Sequence, residues 1–277
     1  MMLMNHEEVG RHWNSVASTW TAMARAGYDF YRDRLNTPAF LDLLPDVRGL
    51  HGLDLGCGEG YNTRLLAKRG AVMAAIDISD VFIHQAAEVS SEGPSIKYGV
   101  ASAVNLPFAN STFNFATGFM SFMAIPEFEI VLDEIFRVLK PQGFVQFSIL
   151  HPCFDTAHRK NLRDSDGNTY AIEVGDYFRN LNGEMLEFNK PYSRAAEDGF
   201  PPMQIPRFTR TLSQWINALV DTGLIIEKVN EPTPTDEVVR ECPELQDAQI
   251  VAYFLHIRAR KPAVEQSGYR LAGAAPV

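Results

Sequence analysis

The chain has 277 residues, 46% of them hydrophobic, enough for one large domain or for one domain carrying an elaborated insertion. Its formal net charge of −9 argues against a broadly basic surface for nucleic acid or for a membrane. No apolar run approaches the roughly 20 residues of a membrane span, and MMLMNHEEVG lacks the basic start and apolar core of a signal peptide, so the expected setting is the cytoplasm.

In chain order, Glu7 to Met23 places Val9, Trp13, Val16 and Trp20 at helical spacing and predicts an amphipathic helix lying on the main domain. Tyr28, Phe30 and Tyr31 fall in the connection that follows. Asn36 and Thr37 ahead of Pro38 predict a second helix, with proline in its first turn, running to about Leu44. From Gly49 onward, strand-like runs at 50–56, 71–77, 96–100, 113–119, 143–150, 224–230 and 249–258 alternate with helical ones at 61–69, 79–90, 127–140 and 211–222. Such alternation predicts an α/β fold, doubly wound around a mostly parallel sheet covered on both faces. The last strand follows its predecessor without room for a long helix and is expected to run antiparallel. About 60 residues before the final helix break the alternation, and their mix of turn residues and aromatics suits either a ligand cover or an oligomerising subdomain. The expected organisation is a helical cap over 1–48, a core domain over 49–150 and 211–261, an inserted cover over 151–210 and a loose tail over 262–277.

Cys57, Cys153 and Cys242 are far apart and odd in number, which implies neither a disulfide framework nor a zinc site. No HxH or HxxxH pair occurs, so no metal is expected.

The most informative stretch is LDLGCGEG, Leu53 to Gly60. Glycines at 56, 58 and 60 follow an apolar strand and precede a helix start, so bare backbone and oriented N–H groups can meet a flat polar ligand there. The dinucleotide pattern G-x-G-x-x-G would need its third glycine at Tyr61, so a nicotinamide cofactor fits poorly. Asp77 ends the next strand, where doubly wound folds bind ribose hydroxyls, and Ile78 would then lie against an adenine face.

With Asp54 two residues before its first glycine, this stretch resembles motif I of the class I S-adenosylmethionine (SAM)-dependent methyltransferases. The resemblance extends through ASAVNLPFANSTFNF and VLDEIFRVLKPQGF, covers about Leu53 to Leu150, and is nearest to the type 11 branch of small-molecule methyltransferases. It implies a seven-stranded Rossmann-like sheet of order 3-2-1-4-5-7-6, with SAM as cofactor and S-adenosylhomocysteine as product. It also implies cofactor roles for Asp54, Gly56, Cys57, Gly58 and Gly60, and for Asp77 and Ile78. Ser102 stands where the family has an aspartate for the adenine amino group, so Ser102 and Ala103 are adenine-edge candidates. Phe119 and Met120 stand where the family's chain passes the methionine moiety, and core packing accounts for them equally well.

A sulfonium methyl is already activated, so transfer needs a nucleophile held in line with water excluded, and a general base only for a protic acceptor. His151, just beyond the fifth strand in SILHPCF, is the candidate catalytic residue; a structural hydrogen-bonding role is the alternative. Candidate substrate residues are Tyr28, Tyr31, His151, Phe154, Tyr170, Phe178, Tyr192 and Arg207. Arg207 and Arg210 suit a substrate carboxylate or phosphate, and HRKNLR, starting at His158, reads as a solvated basic loop or an anion contact. The reading is a methyltransferase acting on a small molecule with an aromatic or apolar body, without nucleic-acid or membrane partners. An RNA or protein methyltransferase, or a SAM- or nucleotide-binding module without turnover, is the alternative.

Overall fold

The first helix is set by its own cap. Asn5 accepts the N–H of Glu8 through its side chain while the Glu8 carboxylate accepts the N–H of Asn5, and this reciprocal box starts α1, His6–Arg25. The computed structural model describes residues 4–89, 95–188 and 194–263. A π-helical turn, Arg32–Asn36, then leads without a break into α2, Thr37–Leu43. The sequence places a helix start at Asn36, but the helix is already running there: Asn36 has helical φ and ψ and makes no cap bond. The wider turn lets the N–H of Thr37 reach the carbonyl of Arg32, five residues back, just before Pro38 brings a residue with no N–H.

The core sheet is built from β1 (His51–Leu55), β2 (Val72–Asp77), β3 (Lys97–Val100), β4 (Phe113–Phe119), β5 (Leu139–Leu150), β10 (Ile225–Asn230) and β11 (Phe254–Arg260), with β6 to β9 lying in the insertion. Its order is β10-β11-β5-β4-β1-β2-β3, which is the expected 3-2-1-4-5-7-6, and β11 is antiparallel to both neighbours. The helices between the parallel strands are α3 (Tyr61–Lys68), α4 (Asp80–Val89) and α5 (Phe128–Val138), with α7 (Leu212–Asp221) ahead of β10. One face of the sheet buries Leu53, Leu55, Phe147 and Ile149 against Val131, Leu132 and Ile135 of α5 and Trp215 and Leu219 of α7. The opposite face buries Met73, Phe115 and Phe144 against Phe40 of α2 and Leu66 of α3. Each of these large side chains contributes roughly 1.5–3 kcal/mol by leaving water.

The structure departs from the sequence reading in several places, the start of β5 at Leu139 and not near 143 among them. The final strand begins at Phe254 and not near 249, because α9 (Asp247–Ile250), which follows another short helix, α8 (Asp236–Glu241), takes the start of that apolar run. Asp247 holds α9 down: its carboxylate accepts from Thr169 Oγ1 at 2.6 Å and Asn161 Nδ2 at 2.5 Å, and pairs with Arg163 at 3.0 Å. The insertion forms two antiparallel hairpins, β6 (His158–Arg163) with β7 (Thr169–Gly175), and β8 (Asn182–Phe188) with β9 (Met203–Phe208), around the short α6 (Arg194–Glu197). HRKNLR is therefore strand β6 and not a loop: His158 pairs with Glu173 of β7, and Asn161 and Arg163 bond Asp247 of α9.

Both covers meet over the ends of the parallel strands. In α1, Gly10 packs on Ile78, and an added Cβ there would lie 2.9 Å from the Ile78 side chain. Trp13 and Trp20 meet edge to face at 5.5 Å, and Trp20 lies 4.8 Å from Phe188 of β8. No helix among the described residues is long and apolar enough to cross a membrane.

Candidate functional site

The glycine turn joins the end of β1 to α3. Gly56, Gly58 and Gly60 have φ of +65°, +55° and +79°, a region that L side chains enter at a cost of about 1–2 kcal/mol. At Gly58 nothing lies within 4 Å of where a Cβ would sit, so a ligand can approach the bare peptide. At Gly56 the same atom would meet Ser121 Cβ at 2.5 Å, and that serine is fixed by its hydroxyl donating to the Leu55 carbonyl at 2.7 Å.

Two buried carboxylates brace this turn. Asp54 accepts from Thr63 Oγ1 of α3 at 2.5 Å and from Thr117 Oγ1 of β4 at 2.9 Å, which ties three elements together beneath the turn. Asp77 accepts the N–H of Gly58 at 2.8 Å and that of Ser79 at 2.9 Å. Burial raises both to about 6, against the hydrogen bonds that favour their ionised forms. The Cys57 thiol is pushed well up by burial and by these two acids, and stays protonated.

A cavity of about 490 Å³ opens over the turn. Of the expected cofactor residues, Gly56, Cys57, Gly58, Asp77, Ile78, Ser102, Ala103, Phe119 and Met120 line it, whereas Asp54 and Gly60 lie behind the wall and act on the turn's shape. Met120 is held at φ +55° with its N–H on the Ser148 carbonyl at 2.9 Å. The pattern reading missed a second group at this end, carried by the segment between α1 and α2. Asp29, Arg32 and Asn36 line the cavity beside Glu59, Tyr61 and Asn62. Arg32 lies 4.2 Å over the Tyr61 ring and bonds Asp33 at 2.7 Å. Glu59, 5% exposed, gathers Arg64 at 2.8 Å, Arg25 at 3.4 Å and Arg32 at 4.0 Å. Asp29 accepts the N–H of Arg32 at 3.2 Å, and burial raises it against that bond and the nearby Arg32 charge. Its signal was available as charge interleaved with aromatics in YDFYRDRLN, which reads as a connection when only periodicity is followed.

Residues 53–147 match the family model for a methyltransferase domain of type 11. An S-adenosylmethionine-dependent methyltransferase from Mesorhizobium loti superposes with a TM-score of 0.65 at 25% identity, covering 81% of this chain and 96% of the other. The chain carries a class I SAM-dependent methyltransferase domain. Demethylmenaquinone methyltransferase of Lactococcus lactis is 31% identical over 163 residues, 57% of this chain and 62% of that enzyme. An uncharacterized protein of Haemophilus influenzae is 27% identical over 237 residues, 82% of this chain and 87% of its own length. SAM is the cofactor of this methyltransferase, and the open face of Gly58, the ionisable Asp77 and the carboxylate of Asp29 beside Arg32 fit a ligand carrying an adenosine and a zwitterionic amino-acid end.

The acceptor end of the methyltransferase requires corrections. His151 does not line the cavity. It is 3% exposed, its Nδ1 accepts the N–H of Cys153 at 3.2 Å, and Nε2 therefore carries the hydrogen donated to Glu231 at 2.7 Å. Neither nitrogen is left for an acceptor proton, and the ring instead backs Phe154 at 4.7 Å, which does line the cavity. Tyr28 points away, with its hydroxyl on Asp198 and its ring against Phe200. Tyr170 and Phe178 are 63% and 85% exposed on the outside of the insertion. Tyr192 lies outside the described residues. Tyr31, Phe154 and Arg207 do line the cavity. Tyr31 stacks on Tyr253 at 5.1 Å, and burial raises its phenol so that it stays neutral. Among the described residues no cluster of three or more His, Cys, Asp or Glu is placed to hold a metal.

Proposed function

We propose that this methyltransferase acts on a small molecule with an aromatic or apolar body. The supporting observation is continuity: the cavity over the glycine turn runs on between α1 and the second hairpin, walled by Trp13, Trp20, Phe154, Phe188, Phe208 and Trp215. A chamber of about 490 Å³ with mostly apolar walls lies within the range of small-molecule sites. The relative that methylates demethylmenaquinone, and another named for phthiotriol dimycocerosates at 26% identity over 57% of its length, agree with an acceptor of that kind.

Bound SAM supplies a methyl group already activated by its sulfonium. The assignments we make for the protein are these: Asp77 holds the ribose hydroxyls, Ile78 with Ser102 and Ala103 flanks the adenine, and Asp29 and Arg32 take the ammonium and carboxylate of the amino-acid end. The aromatic walls then hold the acceptor in line and keep water from the methyl carbon. No histidine or carboxylate is assigned as a general base. Methyl transfer from labelled SAM into a cytosolic metabolite extract, read by mass spectrometry, is expected to label a small apolar product. Label appearing instead in RNA or protein overturns the reading.

A further inference from the structure

The half of the cavity away from the glycine turn is apolar in body and positive in charge. Arg159 of β6, Arg207 of β9 and Arg210 just after it line that half, against one carboxylate, Asp155. The chain as a whole carries −9, so this excess is local to the chamber. Internal partners satisfy the three guanidiniums only in part. Arg207 pairs with Asp155 at 2.7 Å and donates to the Thr156 carbonyl at 3.0 Å, while its Nε is buried with no partner among the described residues. Arg210 spends Nη2 on the carbonyls of Ile125 at 2.8 Å and Pro126 at 2.6 Å, and its Nη1 is buried and unpartnered among the described residues. Glu127 and Glu129 lie near enough to favour the Arg210 charge, but burial outweighs them and lowers its pKa. Arg159 lies 4.5 Å over the Tyr253 ring, itself stacked on Tyr31, and makes no ion pair among the described residues.

Arg159 has no counter-charge among the described residues and Arg207 shares a single carboxylate, so an anion entering the chamber meets a local excess of positive charge between largely apolar walls. Arginine also offers a planar fork that suits an oxyanion. We propose that the acceptor is an anionic small molecule whose oxyanion is bound by Arg159 and Arg207 while its apolar body lies against the aromatic walls. This rests on the small-molecule reading of the cavity. Arg210, 5.4 Å over the Trp215 ring, adds positive field from its place in the wall. The arrangement also explains why two arginines are kept beside aromatic rings: the rings hold the guanidinium faces, leaving N–H edges for a ligand.

The test is calorimetric and needs no knowledge of the natural acceptor. The full chain is first titrated with S-adenosylhomocysteine, and the loaded protein then receives 1-naphthoate, 1-naphthyl phosphate or the neutral 1-naphthamide, which share one apolar body. At least one anion is expected to bind ten or more times tighter than the amide, and which anion does so separates carboxylate from phosphate. Arg159→Gln and Arg207→Gln are each expected to shrink that preference severalfold while leaving S-adenosylhomocysteine affinity within twofold. Arg159 lies on a hairpin edge, so its variant reports even where Arg207→Gln, which strands Asp155, fails to fold. The inference is overturned if neither anion exceeds the amide, or if the preference survives in Arg159→Gln. Failure of the first titration would instead remove the cofactor reading beneath it.

Discussion

If Asp77 receives the ribose hydroxyls, cofactor affinity must follow its ionisation. The carboxylate is 7% exposed and already accepts N–H groups from Gly58 and Ser79, yet burial holds it at about 6. Hydroxyl donors favour the ionised form, so binding near pH 6 releases a fraction of a proton. At pH 7 about nine-tenths of the protein has the carboxylate ionised and at pH 5 about one-tenth, which makes affinity about tenfold weaker at pH 5. The measurement is the dissociation constant of S-adenosylhomocysteine by calorimetry from pH 5 to pH 8, repeated in buffers of different ionisation enthalpy to count the proton. Asp77→Asn keeps the shape, removes the titration and sets an amide N–H against one of the two backbone donors, so its affinity at pH 7 should fall about tenfold and its pH slope should vanish. Asp54 titrates near the same pH but lies behind the wall, so Asp54→Asn should keep the slope. A flat wild-type profile, or a slope that persists in Asp77→Asn, would falsify the assignment of Asp77.

Three further outcomes are expected. Asp29→Asn should weaken S-adenosylhomocysteine about tenfold, the loss of one charge-assisted contact, and leave 5′-methylthioadenosine, which lacks the amino-acid end, unchanged; equal losses for both ligands would refute an ammonium site. Gly56→Ala should cost about 2 kcal/mol or more in urea unfolding, because left-handed strain adds to the approach to Ser121, whereas Gly58→Ala should cost about 1 kcal/mol yet lose cofactor affinity as its methyl enters open space. His256 donates from Nε2 to Asn36 Oδ1 at 2.7 Å, and burial lowers it to about 4 from an ordinary 6.5, so its neutral form adds stability that is fully present above pH 6.5 and lost as pH falls toward 4. The difference in unfolding free energy between wild type and His256→Gln should therefore shrink by about 3 kcal/mol across that window, and a constant difference would show that the ring is not held neutral. The comparison with the variant is needed because Asp54 and Asp77, raised in the fold, gain stability over the same fall in pH.

The parallel sheet, its antiparallel last strand and the glycine turn were all legible in the chain, because each rests on local requirements. Strands buried on both faces read as apolar runs, and a turn that must present backbone at positive φ reads as Gly56, Gly58 and Gly60. Asp77 was named from its place at the end of the second strand, and its carboxylate does stand at the turn, on the N–H of Gly58. What pattern could not supply was contact between segments distant in sequence. Asp29 and Arg32 come to the glycine turn because α1 and the π-helical turn fold over it, and Glu59 collects arginines from three elements. His151 was well placed by sequence, but Glu231, 80 residues on, and the N–H of Cys153 take both its nitrogens. Arg207 and Arg210 could be paired in the sequence as anion candidates, but only the folding of the first hairpin on α9 and of the second on α1 brings Arg159 to the same apolar chamber. The methyl donor was thus set by local backbone geometry, whereas the acceptor site depends on where distant side chains meet, which tertiary packing alone decided.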